Sequence, residues 1–307
     1  MWLLRLLCVG LSSIALGHAT PLKPVRVTAN VYAFIGDIGT ITPANRGRIG
    51  NAGFIVGPEG IVVVDTGISY RFGREMISAI RKVSKRPIRM AIITHAHQEF
   101  LFGAAYFQAI KVPVLTHVRT SELMQARCDN CLHHLKQTLG IPAMRGSRVV
   151  APDRIVAGSE FVSVAGMTLE LHHFGWGNTP GDLVVFERSS GVVFTGGLVA
   201  VDRIPELRDA RLKEWQLILE KLAVLPIKYL VPGHGPVSDA TAIDNFAVYL
   251  RSIDRKVREL YEAGVTLSDA EAQGDLPEFK MWSLYREQHQ KNVHRAYLQI
   301  EQEDLEQ

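Results

Sequence analysis

Residues 94–103 read THAHQEFLFG, and in them His95 and His97 stand two apart directly after the apolar run IRMAII. Two imidazoles at i and i+2 on a loop leaving a strand can face one metal ion. His234, in the turn PGHG after a later apolar run, is a third imidazole able to join them. An ion held this way lowers the pKa of a bound water, and Glu99 is placed to act as base or orienter for attack on an ester, thioester or amide carbonyl. Plain loop polarity is the competing account of a His-x-His pair; the preceding strand and the third imidazole favour ligation. A second cluster, CDNCLHH, sets Cys128 and Cys131 beside His133 and His134. Cysteines this close suit a disulfide in an oxidising compartment. A metal site is a second account, but on a helix the four side chains spread over more than one face. A redox-active pair is a third, and it lacks a thioredoxin-like setting.

The elements that must position these residues alternate along the chain. VRVTANVYAFIG and GFIVGPEGIVVVD read as strands, the second pair joined by the PEG turn. A helix is predicted over Tyr70 to Val83, with Met76, Ile77, Ile80 and Val83 on one face. The strand IRMAIIT follows, so the His95 loop leaves the carboxyl end of a strand in an α/β unit, where such sheets place chemistry. VPVLTH, a helix across residues 121–139, and strands around VSVAGMTLELHHF, DLVVFE, GVVFTGG and LPIKYLV continue the alternation. Beyond them, apolar residues at helical spacing predict a helix over residues 241–263 stopped by Gly264, then another from Trp282 to Ile300. The acidic tail is expected to be solvated.

Residues 1–19 carry one charge at Arg5, an apolar run from Leu6 to Leu16 and small residues at Gly17 and Ala19. This reads as a cleaved signal peptide, because the run falls well short of the roughly 20 residues a spanning helix needs. A periplasmic or secreted chain with no integral span follows. Its net charge is +3, or +2 once Arg5 leaves, which argues against a nucleic-acid surface. The expected organisation is a main domain over residues 20–240 and a helical extension over residues 241–307.

The order VVVDTG, THAH, NTPGDL, FTGGL, VPGHG, each at the end of a strand pattern, resembles the metallo-β-lactamase superfamily over about residues 25–237. The resemblance implies an α/β fold, a four-layer αββα sandwich with a metal site along the top edge of two packed sheets, and Asp65 supporting the metal loop. The phrases PANRGRIGNAGFIVG, CDNCLHHL, HFGWGNTPGDL and GGLVAVDRIPELRDA resemble the quinoprotein relay system zinc metallohydrolase group, relatives of a sulfur-oxidation-associated hydrolase. That group implies a context of periplasmic quinoprotein dehydrogenases more than a reaction.

The chain departs from the superfamily pattern at the ligands. Glu99 stands for an aspartate, Phe100 for a histidine, Asn178 for the third histidine of the first metal site, and Gly197 for the bridging aspartate. An amide is a far poorer zinc ligand than an imidazole, and glycine offers none. Each lost ligand costs about 3–4 kcal/mol of zinc affinity, so one zinc or none per chain is expected, held by His95 and His97 with help from His234, Glu99 or Asn178. His172 and His173 are further candidates, but strand alternation puts them on opposite faces, and satisfied strand histidines are the simpler account. Phe100 fills the second site with apolar volume, and Thr179 to Asp182 set turn geometry. Two functions fit: a mononuclear hydrolase, or a metal-poor member whose cleft binds a small molecule or a quinoprotein partner.

Overall fold

The computed structural model describes residues 22–306, so the leader expected over residues 1–19 lies outside the described residues. Short β-branched runs broken by turns build the first half: β1 (Val25–Arg26), β2 (Val31–Phe34), β3 (Ala52–Gly57) and β4 (Gly60–Val64), with Pro58 and Glu59 turning β3 into β4. Helix α1 (Tyr70–Val83) begins where the Ser69 hydroxyl accepts from the Phe72 amide, an N-cap that satisfies one of the free amides of the first turn. Then come β5 (Ile88–Ile92), α2 (Gln98–Leu101), α3 (Ala104–Ala109), β6 (Val114–His117), α4 (Val118–Leu139) and β7 (Arg154–Val156). The second half contains β8 (Glu160–Val164), β9 (Met167–His172), β10 (Val184–Glu187), β11 (Val192–Phe194), α5 (Leu212–Ala223), β12 (Tyr229–Val231), α6 (Thr241–Glu262), α7 (Leu267–Gln273) and α8 (Tyr285–Leu305).

The strands form two sheets, ordered β1-β2-β3-β4-β5-β6-β7 and β12-β11-β10-β9-β8. Alternation along each strand sorts its side chains between two cores. Val62 and Val64 of β4 pack between the sheets against Leu169, Val185 and Phe194, while Ile61 and Val63 face Met76 of α1 and Leu132 of α4. On the far side, Val184, Phe186 and Leu230 of the second sheet pack against α5, α6 and α8. This is the four-layer αββα sandwich, and its C-terminal helices share a core with the second sheet.

Strands β4, β5 and β6 run parallel, as do β11 and β12, so their carboxyl ends collect on one edge. Asp65, the His95 loop, Gly197 and the His234 turn all leave that edge, where α/β sheets keep their crevices.

The helices differ from the sequence expectation at several places: α2, α3 and α5 are additional to those expected, and α8 starts at Tyr285 instead of Trp282. Helix α4 starts three residues earlier than predicted, capped by the His117 ring, which accepts from the Arg119 amide at 3.2 Å. Helix α7 was not predicted; it has only seven residues, too short to show a periodic face. The acidic tail continues α8 to Leu305, because Glu303 pairs with Arg258 at 3.1 Å and Asp304 accepts from the Tyr261 hydroxyl at 3.1 Å, both on α6. Among the described residues no helix is long and apolar enough to cross a membrane.

Candidate active site

Asp65 sits just past β4 with φ +60, a left-handed conformation uncommon for a residue with a side chain. Its carboxyl accepts from the Thr94 amide at 2.9 Å and faces the Thr94 hydroxyl, which in turn lies 2.8 Å from His95 Nδ1. Asp65 thus fixes the start of the loop and, through Thr94, the ring of His95. Burial pushes the Asp65 carboxyl up to about 8, with the Thr94 hydrogen bonds working against it. The loop is tied down by the Phe100 carbonyl, which accepts from the Thr66 hydroxyl at 2.9 Å and from the Thr66 and Gly67 amides. Gly103 closes it: a Cβ there would stand 1.8 Å from the Thr66 carbonyl oxygen.

His234 comes from the PGHG turn, which Asn51 straps to β3 by donating to the Pro232 and Gly235 carbonyls at 2.9 and 2.8 Å. Nε2 of His234 lies 3.2 Å from Glu99 Oε1, and Nδ1 lies 2.8 Å from both Arg203 Nη1 and the Ile49 carbonyl. A neutral ring carries one proton, so Nδ1 cannot serve both neighbours. With the proton on Nε2, Arg203 donates to Nδ1 and Nε2 donates to Glu99, giving two hydrogen bonds. With the proton on Nδ1, the Nε2 lone pair faces a carboxylate oxygen. The first arrangement makes one more hydrogen bond than the second, in which Nδ1 donates only to Ile49, although it leaves the Nδ1 lone pair facing that carbonyl; it gives a chain from Arg203 through His234 to Glu99.

The charges agree with that chain. Burial alone would raise the Glu99 carboxyl, but the hydrogen bond from His234 and the fields of His234, His97 and Arg203 outweigh it and hold Glu99 below the usual carboxylate range. Burial and then Arg203 lower His234, against Glu99 and Ile49. His95 is lowered well below its ordinary value by burial and by His97. Burial thus disfavours charge on His95 and His234, while Glu99 is held ionised, a weak proton acceptor and so a poor match for the base role expected of it.

The donors separate into two pairs. His95 and His97 lie with ring centroids 4.8 Å apart, and Glu99 and His234 are joined as described. The fully buried ring of Phe100 packs against a member of each pair, 4.4 Å from His95 and 5.4 Å from His234. His95 Nε2 is buried with no protein partner and faces Asn178 and Gly197. A Cβ at Gly197 would come 2.1 Å from Asn178 Nδ2 and 2.8 Å from His95 Nε2, so the space for a bridging carboxylate has closed. Among the described residues no three His, Cys, Asp or Glu side chains are grouped closely enough to hold a metal ion. These side chains do not fit the zinc centre that the resemblance implies.

His97, Glu99, Asn178, Gly197, Arg203 and His234 line a cavity of about 60 Å³, roofed by Leu284 and Gln288 of the C-terminal segment. Arg203 was not among the residues singled out from sequence, although it lies in a quoted phrase; an arginine close to Val201 and Ile204 was the available signal of burial. It follows Asp202, whose φ is +53, and is held by Ser283, which accepts from the Ile204 amide at 3.0 Å. His172 and His173 are not part of the site: His172 pairs with Glu170 at 3.1 Å, and His173 stacks on His117 at 3.9 Å. Asp182 accepts from the Thr179 amide and hydroxyl and so shapes the turn that carries Asn178.

Where a disulfide was expected, Cys128 and Cys131 stand as thiols. They lie one turn apart inside α4, and the hydrogen bond between them raises the buried Cys128 thiol and lowers Cys131. His133 and His134 are exposed and bond within α4, to Gln137 and Thr138.

A linear primary-alkylsulfatase from Pseudomonas sp. is 24% identical over 224 residues, covering 62% of this chain and 42% of the enzyme, so the chain spans less than half of that relative. The solved metallo-β-lactamase from Pontibacter korlensis superposes with a TM-score of 0.62 at 24% identity, over 75% of this chain and 99% of that one. A sec-alkyl sulfatase structure reaches a TM-score of 0.71 at 18% identity, over 91% of this chain and 50% of that one. The family description "Metallo-beta-lactamase superfamily" matches residues 45–234, more than half of the sequence, and the chain belongs to that superfamily.

Proposed function

We propose that this member of the hydrolase superfamily uses its cleft to bind a small polar molecule, without the two-zinc chemistry its fold can carry. The observation behind this reading is the Phe100 ring packed against both His95 and His234 at the position of a superfamily ligand, with Arg203 engaged on His234 where a second metal ion would compete for the same ring. Binding of an ion by His234 Nε2 would require that nitrogen to lose its proton and the Arg203 hydrogen bond to break. The cleft is also small. At about 60 Å³ it lies far below the roughly 300–1,000 Å³ of ordinary ligand sites, so turnover of a β-lactam or a long alkyl sulfate is not supported by this geometry.

A second reading keeps one metal ion and hydrolysis of an ester, thioester or amide. It is favoured by one observation, the buried and unpartnered His95 Nε2. Export to the periplasm and association with a quinoprotein dehydrogenase complete the proposal on the strength of the leader-like residues 1–19 and the phrases shared with the quinoprotein-associated group. Hydrolysis of a generic thioester, measured with zinc added and with chelator, separates the readings. Binding alone predicts no zinc-dependent turnover, whereas turnover that follows zinc content overturns it. Fractionation of the expressing cells tests the location.

A further inference from the structure

The C-terminal helices give the cleft a second compartment, lined mostly by residues beyond those that match the family. A cavity of about 260 Å³ opens between α7, α8 and the segment after Arg203, and it shares Glu206 and Gln288 as walls with the inner cleft. Neither compartment alone reaches the roughly 300 Å³ at which ordinary small-molecule sites begin; the two joined do. Gln288 and Glu206 are long side chains that can part by rotamer changes alone.

The outer wall has a surplus of positive charge. Helix α8 presents Gln288, Lys291 and Arg295 at intervals of three and four, which puts them on one face, with Arg208 across the cavity. The two carboxylates nearby are engaged: Glu271 pairs with His294 at 2.6 Å, and Glu206 lies 3.5 Å from Arg208. Among the described residues Lys291 and Arg295 have no carboxylate within 4.0 Å, and neither does Arg203 in the inner cleft. Arg203 is only 8% exposed, and its one hydrogen bond is to His234, which leaves guanidinium donors turned to the cavity it lines.

Building on the binding reading above, we propose that the two compartments together bind one elongated organic anion. Its charged group lies against Lys291 and Arg295, and its other, polar end passes Glu206 and Gln288 to reach Asn178, His97 and Arg203. Two cations without carboxylate partners on one helix face suit a carboxylate, sulfate or phosphate group. The polar inner end suits a hydrogen-bonding group in place of a hydrocarbon tail.

The test is calorimetric titration of the full chain, in chelator and low salt, with 4-nitrophenyl sulfate, 4-nitrophenyl phosphate and the neutral control 4-nitrobenzyl alcohol. The anions are expected to bind and the alcohol to bind at least tenfold more weakly. The double variant Lys291→Glu/Arg295→Glu should weaken the anions roughly tenfold, since reversing two exposed charges removes about 1.4 kcal/mol. Both positions are exposed, so an unchanged melting temperature is expected, and Lys291→Met/Arg295→Met repeats the test without reversing charge. If both double variants bind like the parent while Arg203→Met loses binding, the inner cleft binds but the outer compartment takes no part, and this inference alone falls. It falls as well if the parent binds no anion, or binds the alcohol equally well. The binding reading has its own separate test in zinc-dependent turnover.

Discussion

Replacing Phe100 tests whether its ring is the wedge that keeps the donors apart. The side chain is completely buried, and a Cβ added at Gly50 would meet its ring at 2.9 Å, so no slack surrounds it. Phe100→Ala should cost about 3–5 kcal/mol, the usual range for emptying an aromatic site that cannot collapse. For a chain of this length that is a fall in melting temperature of roughly 6–20 °C. Phe100→His instead puts an imidazole beside both His95 and His234. One added ligand is worth about 3–4 kcal/mol, or two to three decades of zinc affinity. Denaturant melts give the first number and competition with a chromogenic chelator gives the second. A loss below about 1 kcal/mol in Phe100→Ala would show that the ring is not packed as described. Zinc affinity in the parent equal to that of Phe100→His would refute the wedge.

Gly197→Ala is expected to destabilise the fold by about 1–3 kcal/mol, because the added carbon meets Asn178 and His95; in an Asn178→Ala background most of that cost should vanish in the same melts. Asp65 gives a pH signature. Its folded pKa of about 8 lies above the unfolded value near 4, so the folded state holds a proton that the unfolded state has released, and stability falls as pH rises between those values. Asp65→Asn should flatten that fall by up to about 1.4 kcal/mol per pH unit, and an unchanged slope in melts from pH 4 to pH 8 would contradict the assignment. Cys128 and Cys131 are thiols one turn apart inside α4, so protein exported to an oxidising compartment is expected to have joined them and to take up no alkylating label under denaturing, non-reducing conditions, whereas protein kept in a reducing compartment labels at both. Label at both in the exported protein rejects the disulfide.

Much of the scaffold could be read from local pattern, and much of the site could not. The apolar spacing of Met76, Ile77 and Ile80 bounded α1 at the residues where it begins and ends, because its Ser69 cap and its buried face are both local features. Strand ends were equally legible, and since parallel strands deliver their loops to one edge, His95, His97, Glu99, Asn178, Gly197 and His234 could be expected near one another. What local pattern lacks is the long-range hold on Arg203. Asn292 of α8 donates to the Pro205 carbonyl at 2.8 Å and accepts from the Leu207 amide at 3.2 Å, across more than eighty residues, and that clamp presses the Arg203 segment over the cleft. The same limit hid the role of Phe100: its identity was plain, but its packing against both His95 and His234 depends on two sheets and three loops meeting.

The most direct test of the central claim is the metal content of protein purified without added zinc and dialysed before elemental analysis. The account predicts at most one loosely held zinc per chain, lost on dialysis, with binding of 4-nitrophenyl sulfate unchanged by chelator. Two zinc ions per chain retained through dialysis would contradict it, since Phe100, Asn178, Gly197 and Arg203 would then have to be arranged differently around His95 and His234.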